Sequence, residues 1–246
     1  KNNDNGEIYI FPEGILVGIN LNNLQNHKSI FKDNFSENDL IVIGMNSEEN
    51  NRVYNSLVIL NNNLDILGKY NKNNLVPFGE FLPFERLLSG IGLKKLTKGY
   101  RSFSSSNKRD LMNLNDLKFL PLICYEIIYT GNLSFYEKDY DFIINISEDG
   151  WFGQSIGPLQ HLNHSIFRSI EEGKNILRSS NNGISGLIDP IGKLITLSKT
   201  TEGGVVIIDS IKYVETSYFS KHGNKIFFYF VIIYITLIFF LQRKDL

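Results

Sequence analysis

Alanine is missing from this 246-residue chain, and cysteine, tryptophan and methionine nearly are, with one, one and two copies. The lost alanine goes with a surplus of Asn, Ile, Lys, Phe and Tyr, which is a coding bias and points to no function. The single cysteine, Cys124, rules out an intrachain disulfide and leaves the redox compartment open. An excess of one charge sign is also missing: 25 Lys and Arg stand against 26 Asp and Glu, a formal net charge of -1. Nucleic acid is therefore not an expected partner. With four histidines and one cysteine there is little to hold a metal. His161 and His164 share a predicted helix, but no acidic or cysteine partner completes a zinc set, so the pair is expected on a polar helix face and no metal is expected. No glycine-rich loop followed by Lys-Ser/Thr appears, and no cofactor is expected. Ser185 lacks the Gly-x-Ser-x-Gly elbow of a serine hydrolase.

What is present is enough apolar sequence, 42% against 21% charged, for one large domain with a core. The chain starts without Met or a secretory signal, and a polar stretch from Lys1 to Asn5 runs straight into a strand-like segment. The expectation is a piece of something longer. Near the other end, positions 226–241 hold sixteen residues without a charge. As a helix they cover roughly 24 Å at ~1.5 Å per residue. Gly223, Asn224 and a snorkelling Lys225 at one end and Gln242 at the other extend it toward the ~30 Å hydrocarbon core of a bilayer. The expected division is a catalytic domain over 1–220 and a transmembrane helix with a short tail over 221–246.

Short apolar runs predict strands at 8–11, 40–45, 53–60, 64–70, 119–124, 142–147, 176–179, 184–188 and 205–208. Asn61-Asn62-Asn63 predicts a hairpin turn, and Asp189-Pro190-Ile191-Gly192 another. Leu162, Ile166 and Ile170 predict a helix that Gly173 stops. A second helix is expected over 81–96, and the Asn-rich stretch at 20–38 is expected at the surface. Mixed strands with covering helices give an α/β class.

Cys124 lies where an apolar strand gives way to polar sequence, in Leu122-Ile123-Cys124-Tyr125-Glu126. Glu13 follows the strand at 8–11, and Lys72 follows the one ending at Tyr70. Taken singly, the cysteine reads as a small core residue and the two charges as solvated. Taken together, a carboxylate, an amine and a thiol at three strand ends are the parts of an acyl-transfer site. The carboxylate takes the thiol proton, the thiolate attacks a carbonyl, and the ammonium meets the oxyanion.

Pro12-Glu13, Tyr70-Asn71-Lys72 and Cys124-Tyr125-Glu126 resemble the Glu-Lys-Cys motifs of the nitrilase superfamily. Leu75-Val76-Pro77-Phe78-Gly79-Glu80-Phe81-Leu82-Pro83 resembles the apolipoprotein N-acyltransferase family in particular. So do Asn145-Ile146-Ser147-Glu148-Asp149-Gly150-Trp151-Phe152-Gly153, Gly157-Pro158-Leu159-Gln160-His161 and Arg178-Ser179-Ser180-Asn181-Asn182-Gly183. The resemblance implies a nitrilase-type αββα sandwich followed by one C-terminal transmembrane helix, on the periplasmic side of a bacterial inner membrane. It implies a phospholipid acyl donor and an apolipoprotein acceptor whose N-terminal amine receives the acyl chain through a cysteine thioester. By position it makes Glu13 the base, Lys72 the oxyanion stabiliser and Cys124 the nucleophile. Glu80 supports the lysine, the Tyr125 backbone N–H completes the oxyanion hole, and Glu126 stands behind the site. Gly14 departs from the Ser or Thr usual after the glutamate, and Glu148 from an Asn. Two other readings stay open: a membrane-tethered amidase using the same triad, and a catalytically dead binding module. The apolar stretch from Phe81 to Leu93 reads equally as a core helix or a lid facing lipid.

Overall fold

Among the described residues ten strands pair into two sheets, which bury apolar faces against each other. The computed structural model describes residues 6–84, 90, 102–131, 133, 139–199 and 204–242. The first sheet has the order β1 (Ile8–Ile10), β2 (Leu40–Glu49), β3 (Arg52–Leu60), β4 (Ile66–Asn71). The second runs in the order β10 (Leu194–Lys199), β9 (Ile184–Ile188), β8 (Asn175–Asn181), β7 (Phe142–Glu148), β6 (Leu117–Ile123), β5 (Met112–Leu114). In each sheet parallel pairs bring strand ends to one rim: β1 with β2, then β6 with β7 and β7 with β8.

The cores show the layering. Val42, Leu57, Ile59 and Tyr70 of the first sheet pack on Phe119, Ile123, Phe142, Ile144 and Ile146 of the second. Outside the first sheet, Ile41, Ile43, Val58 and Leu60 pack on Leu24 and on Phe31 of α1 (Lys28–Asn34). Outside the second, Leu120, Leu122, Ile143 and Ile176 pack on Leu162 of α2 (Gly157–Glu172). The result is helix, sheet, sheet, helix. Each such fully buried aliphatic side chain contributes roughly 1.5–3 kcal/mol.

The hairpin across 61–63 forms as predicted, with Leu64 N–H donating to the Asn61 carbonyl at 3.0 Å. The turn at 189–192 forms too, and α2 ends at Gly173 in the left-handed region. The strand expected at 205–208 does not form; residues 204–217 carry no regular element. Two strands escaped the sequence reading, β5 and β10, the outer members of the larger sheet. Most of the helix expected over 81–96 lies outside the described residues.

After β10 come α3 (Tyr218–His222) and α4 (Lys225–Gln242). Ser220 N–H is capped by Ser217 Oγ, and Asn224 Nδ2 donates to the Thr130 carbonyl. The 18 residues of α4 have a mean hydropathy of 2.1, and none is buried.

Candidate active site

Glu13 sits in the turn after β1, with its backbone pressed against Gly44 in the middle of β2. A Cβ at Gly44 would lie 2.8 Å from Glu13 Cα and 2.8 Å from Ile146 Cδ1, so only glycine lets the turn settle between the sheets. The carboxylate is then fixed at both oxygens. Oε1 accepts from Asn55 Nδ2 at 2.5 Å, and Oε2 accepts the Glu148 backbone N–H at 3.0 Å. Burial pushes the Glu13 pKa up, Lys72 and Asn55 hold it back, and the net is above the ordinary carboxylate range.

Lys72 leaves the end of β4 with its N–H on the Asn55 carbonyl at 2.8 Å. Its side chain runs inward and is 1% exposed. An unpaired ammonium there would cost several kcal/mol. The ion pair from Nζ to Glu80 Oε1, at 2.8 Å, offsets that cost. Glu80 is itself held by Asn55 Nδ2 at 3.0 Å and by the Val76 N–H at 2.8 Å. Burial alone would lower the Lys72 pKa, but the charges of Glu13, Cys124, Glu80 and Glu126 outweigh it and raise it.

Cys124 opens a 3-10 turn, Cys124–Ile128, directly after β6. Its φ is +52°, a left-handed conformation that costs of order 1–3 kcal/mol outside glycine. The bend places the thiol where the charges of Glu13 and Lys72 both act on it. Burial first, then the Glu13 charge, pushes the thiol pKa up to about 12, against the pull of Lys72, Ser147 and the Glu148 N–H. The resting group is therefore a thiol, and the neighbouring carboxylate is placed to take its proton as it attacks.

The structure thus brings Glu13, Lys72, Glu80 and Cys124 into one site. Glu126 stands behind it, fully buried. Its Oε1 accepts from Tyr70 Oη (2.7 Å), the backbone N–H groups of Asn73 (3.0 Å) and Asn74 (2.9 Å), and Arg109 Nη2 (2.9 Å). Oε2 accepts the Ile123 N–H at 2.9 Å. One carboxylate on the cysteine turn thus holds the loop that follows Lys72. Tyr125 is exposed on the outer side of that turn.

Sequence reasoning missed Asn55, whose single amide spans Glu13 and Glu80. It misread His161, which was expected on a polar surface but is 2% exposed. The ring lies between Asp149 Oδ1 (2.8 Å from Nδ1) and the Cys124 carbonyl oxygen (3.2 Å from Nε2). Asp149 also accepts from Ser147 Oγ and from Arg178 Nη2, each at 2.7 Å. The signal was a histidine four residues after Gly157, the first residue of α2, in a chain poor in histidine, too weak to place it. Glu148, the departure from Asn, spends its carboxylate locally, on the Gly150 N–H at 2.7 Å and Asn181 Nδ2 at 2.5 Å. Among the described residues no group of three or more His, Cys, Asp or Glu is placed to hold a metal ion.

A two-sheet sandwich with a buried thiol, a buried ammonium and a half-buried carboxylate at its rim is the arrangement of a carbon-nitrogen hydrolase. Residues 7–216 match the carbon-nitrogen hydrolase family, and the chain belongs to it. Its relatives within the family are more particular. It is 33% identical over 207 residues to the apolipoprotein N-acyltransferase of Rhizobium rhizogenes, covering 81% of this chain and 39% of that one. It is 35% identical over 215 residues to that of Wigglesworthia glossinidia brevipalpis, covering 83% and 42%. The chain thus spans less than half the length of these curated relatives. Among solved structures it shares its fold with Saccharomyces cerevisiae Nit3, a member of the nitrilase superfamily, at TM-score 0.56 and 15% identity, over 78% of this chain and 72% of that one. An amidase from Nesterenkonia sp. AN1, with acrylamide added to its active-site cysteine, matches at TM-score 0.52 and 11% identity, over 78% and 75%.

Proposed function

We propose that this chain carries the chemistry of an apolipoprotein N-acyltransferase, with Cys124 as nucleophile, Glu13 as base and Lys72 as oxyanion stabiliser. The observation that carries the reading is the meeting of these three groups at one rim, in a chain similar over most of its length to enzymes of that name. Glu13 takes the thiol proton as sulfur attacks the ester carbonyl of a phospholipid. The tetrahedral oxyanion meets the Lys72 ammonium and the Tyr125 backbone N–H. The C–O bond breaks, the lysophospholipid alkoxide leaves with the proton from Glu13, and the acyl chain stays on sulfur as a thioester. The neutral N-terminal amine of an apolipoprotein then attacks, gives a proton to Glu13, and expels the thiolate, which recovers that proton.

The division at 220/221 belongs to the same proposal. Residues 1–220 form the catalytic domain, and α4 crosses a bacterial inner membrane with the site on its periplasmic side. An exposed apolar helix of 18 residues supports this. The test is to incubate the full-length protein with phospholipid alone and look by mass for an acyl adduct on Cys124, then add a lipoprotein peptide and follow transfer. Steady release of free fatty acid without an adduct would favour the amidase reading.

A further inference from the structure

β3 carries one polar residue in an apolar row. Val53, Asn55, Leu57 and Ile59 share a face of the strand, since alternate residues point the same way. Leu57 and Ile59 pack between the two sheets, and Asn55 is only 6% exposed. An amide in such a place costs free energy unless its hydrogen bonds are made. The sheet does not call for it: the main-chain carbonyl of Asn55 takes the Lys72 N–H at 2.8 Å whatever the side chain is.

We infer that Asn55 is a positioning residue for the base, its one amide nitrogen holding the Glu13 and Glu80 carboxylates at a fixed spacing. The inference deepens the reading above and rests on Glu13 being the base. Nδ2 donates to Glu13 Oε1 at 2.5 Å and to Glu80 Oε1 at 3.0 Å. An amide nitrogen has a hydrogen for each. Ionised carboxylates only accept, so the nitrogen and not the amide oxygen faces them. The two carboxylate oxygens, 2.5 and 3.0 Å from one nitrogen, lie at most 5.5 Å apart.

Two carboxylates that close repel, which favours a proton on one of them. A proton held by Glu13 disables it as a base. Lys72 offsets part of the repulsion through its 2.8 Å ion pair with Glu80. The amide offsets more of it without adding a charge, and it bonds Glu13 directly. A hydrogen bond to the ionised form favours that form, so losing the amide makes Glu13 keep its proton to higher pH. Lys72, Glu80 and Cys124 are the ionisable groups that act on Glu13. Glu148 gives Glu13 Oε2 its backbone N–H at 3.0 Å and turns its own carboxylate to Gly150 and Asn181.

The test compares two variants of matched shape in the detergent-solubilised full-length protein. Asn55→Val and Asn55→Thr are both β-branched and suit a strand. Only threonine keeps a donor, and its single hydroxyl hydrogen serves at most one carboxylate. Acylation of Cys124 by p-nitrophenyl butyrate is followed by mass after rapid quenching. Its second-order rate is measured from about pH 4 to about pH 9, where the acid limb reports the base of the free enzyme. Asn55→Val is expected to move that limb to higher pH and to slow acylation roughly tenfold along it. Asn55→Thr is expected to lie between the valine variant and wild type. A loss of packing alone lowers the amount of active protein and leaves the limb in place. An acid limb at the wild-type position in Asn55→Val overturns the inference. If the valine variant does not fold, the limb of Asn55→Thr decides by the same reading. The probe contains no phospholipid, so a wild-type protein that forms no adduct from phospholipid counts against the proposed function and leaves this result standing.

Discussion

The Glu126 carboxylate accepts the Asn73 backbone N–H at 3.0 Å, across 53 residues of chain and from one sheet to the other. The same oxygen takes Asn74 N–H, Tyr70 Oη and Arg109 Nη2. The spacing between Lys72 and Cys124 therefore depends on one side chain. Glu126→Gln would turn an N–H group toward these donors and leave the Arg109 charge without its buried partner. The expected cost is about 3–5 kcal/mol of stability. Thioester formation should fall about a hundredfold, since small displacements of reacting groups have effects of that size. Thermal unfolding and adduct mass measure the two, and a variant normal in both removes Glu126 from this role.

Glu13 sets a slope of stability with pH. Its pKa is raised in the folded protein above the ordinary value of 4.5, so the folded state holds this proton more tightly than the unfolded chain does. The contribution is fully present below the unfolded pKa and is lost as pH rises through the folded one. Urea unfolding of wild type against Glu13→Gln from about pH 4 upward should show the wild type losing stability relative to the variant over that window. Parallel curves would contradict the raised pKa. The variant should also be inactive.

Gly44→Ala puts a methyl group 2.8 Å from the Glu13 backbone and 2.8 Å from Ile146 Cδ1. Neither β2 nor the turn can move without the other. A loss of about 1–3 kcal/mol is expected, as for other overpacked sites. A fall in kcat larger than any change in KM should accompany it, because the base and not the lipid contact is displaced. A fully active, fully stable variant would mean that the turn is softer than this packing implies.

Cys124→Ser keeps the size and the hydrogen-bonding sense of the side chain and should fold with an unchanged melting temperature. Turnover and adduct formation should both vanish, since a carboxylate base hardly ionises an alcohol. Acyl transfer near the wild-type rate would remove Cys124 from the mechanism.

Much of the fold was legible because its signals are local. Continuous apolar runs such as Phe142-Ile143-Ile144 marked the central strands, and the Asn61-Asn62-Asn63 turn marked a hairpin. The edge strands β5 and β10 were missed because neither carries three consecutive apolar residues. The segment 205–208, Val-Val-Ile-Ile, has a strand's composition but pairs with no strand among the described residues. In the site, Glu13, Lys72 and Cys124 stood out as chemistry at strand ends. Asn55 and His161 did not. A polar residue in a strand or on a helix shows its role only when the partner, distant in sequence, is folded against it.

Lys72 has a further consequence. An enzyme that stores an acyl group on sulfur beside a primary amine risks spending that group on itself, since an amide is far more durable than a thioester. The carboxylates around Lys72 remove the hazard by keeping its nitrogen protonated and so without a lone pair to offer. Glu80 also holds that nitrogen in a fixed place by the 2.8 Å ion pair. In the acyl-transfer scheme proposed above, the same charge that steadies the oxyanion makes the lysine inert toward the acyl chain, leaving the thioester to an amine that arrives from outside.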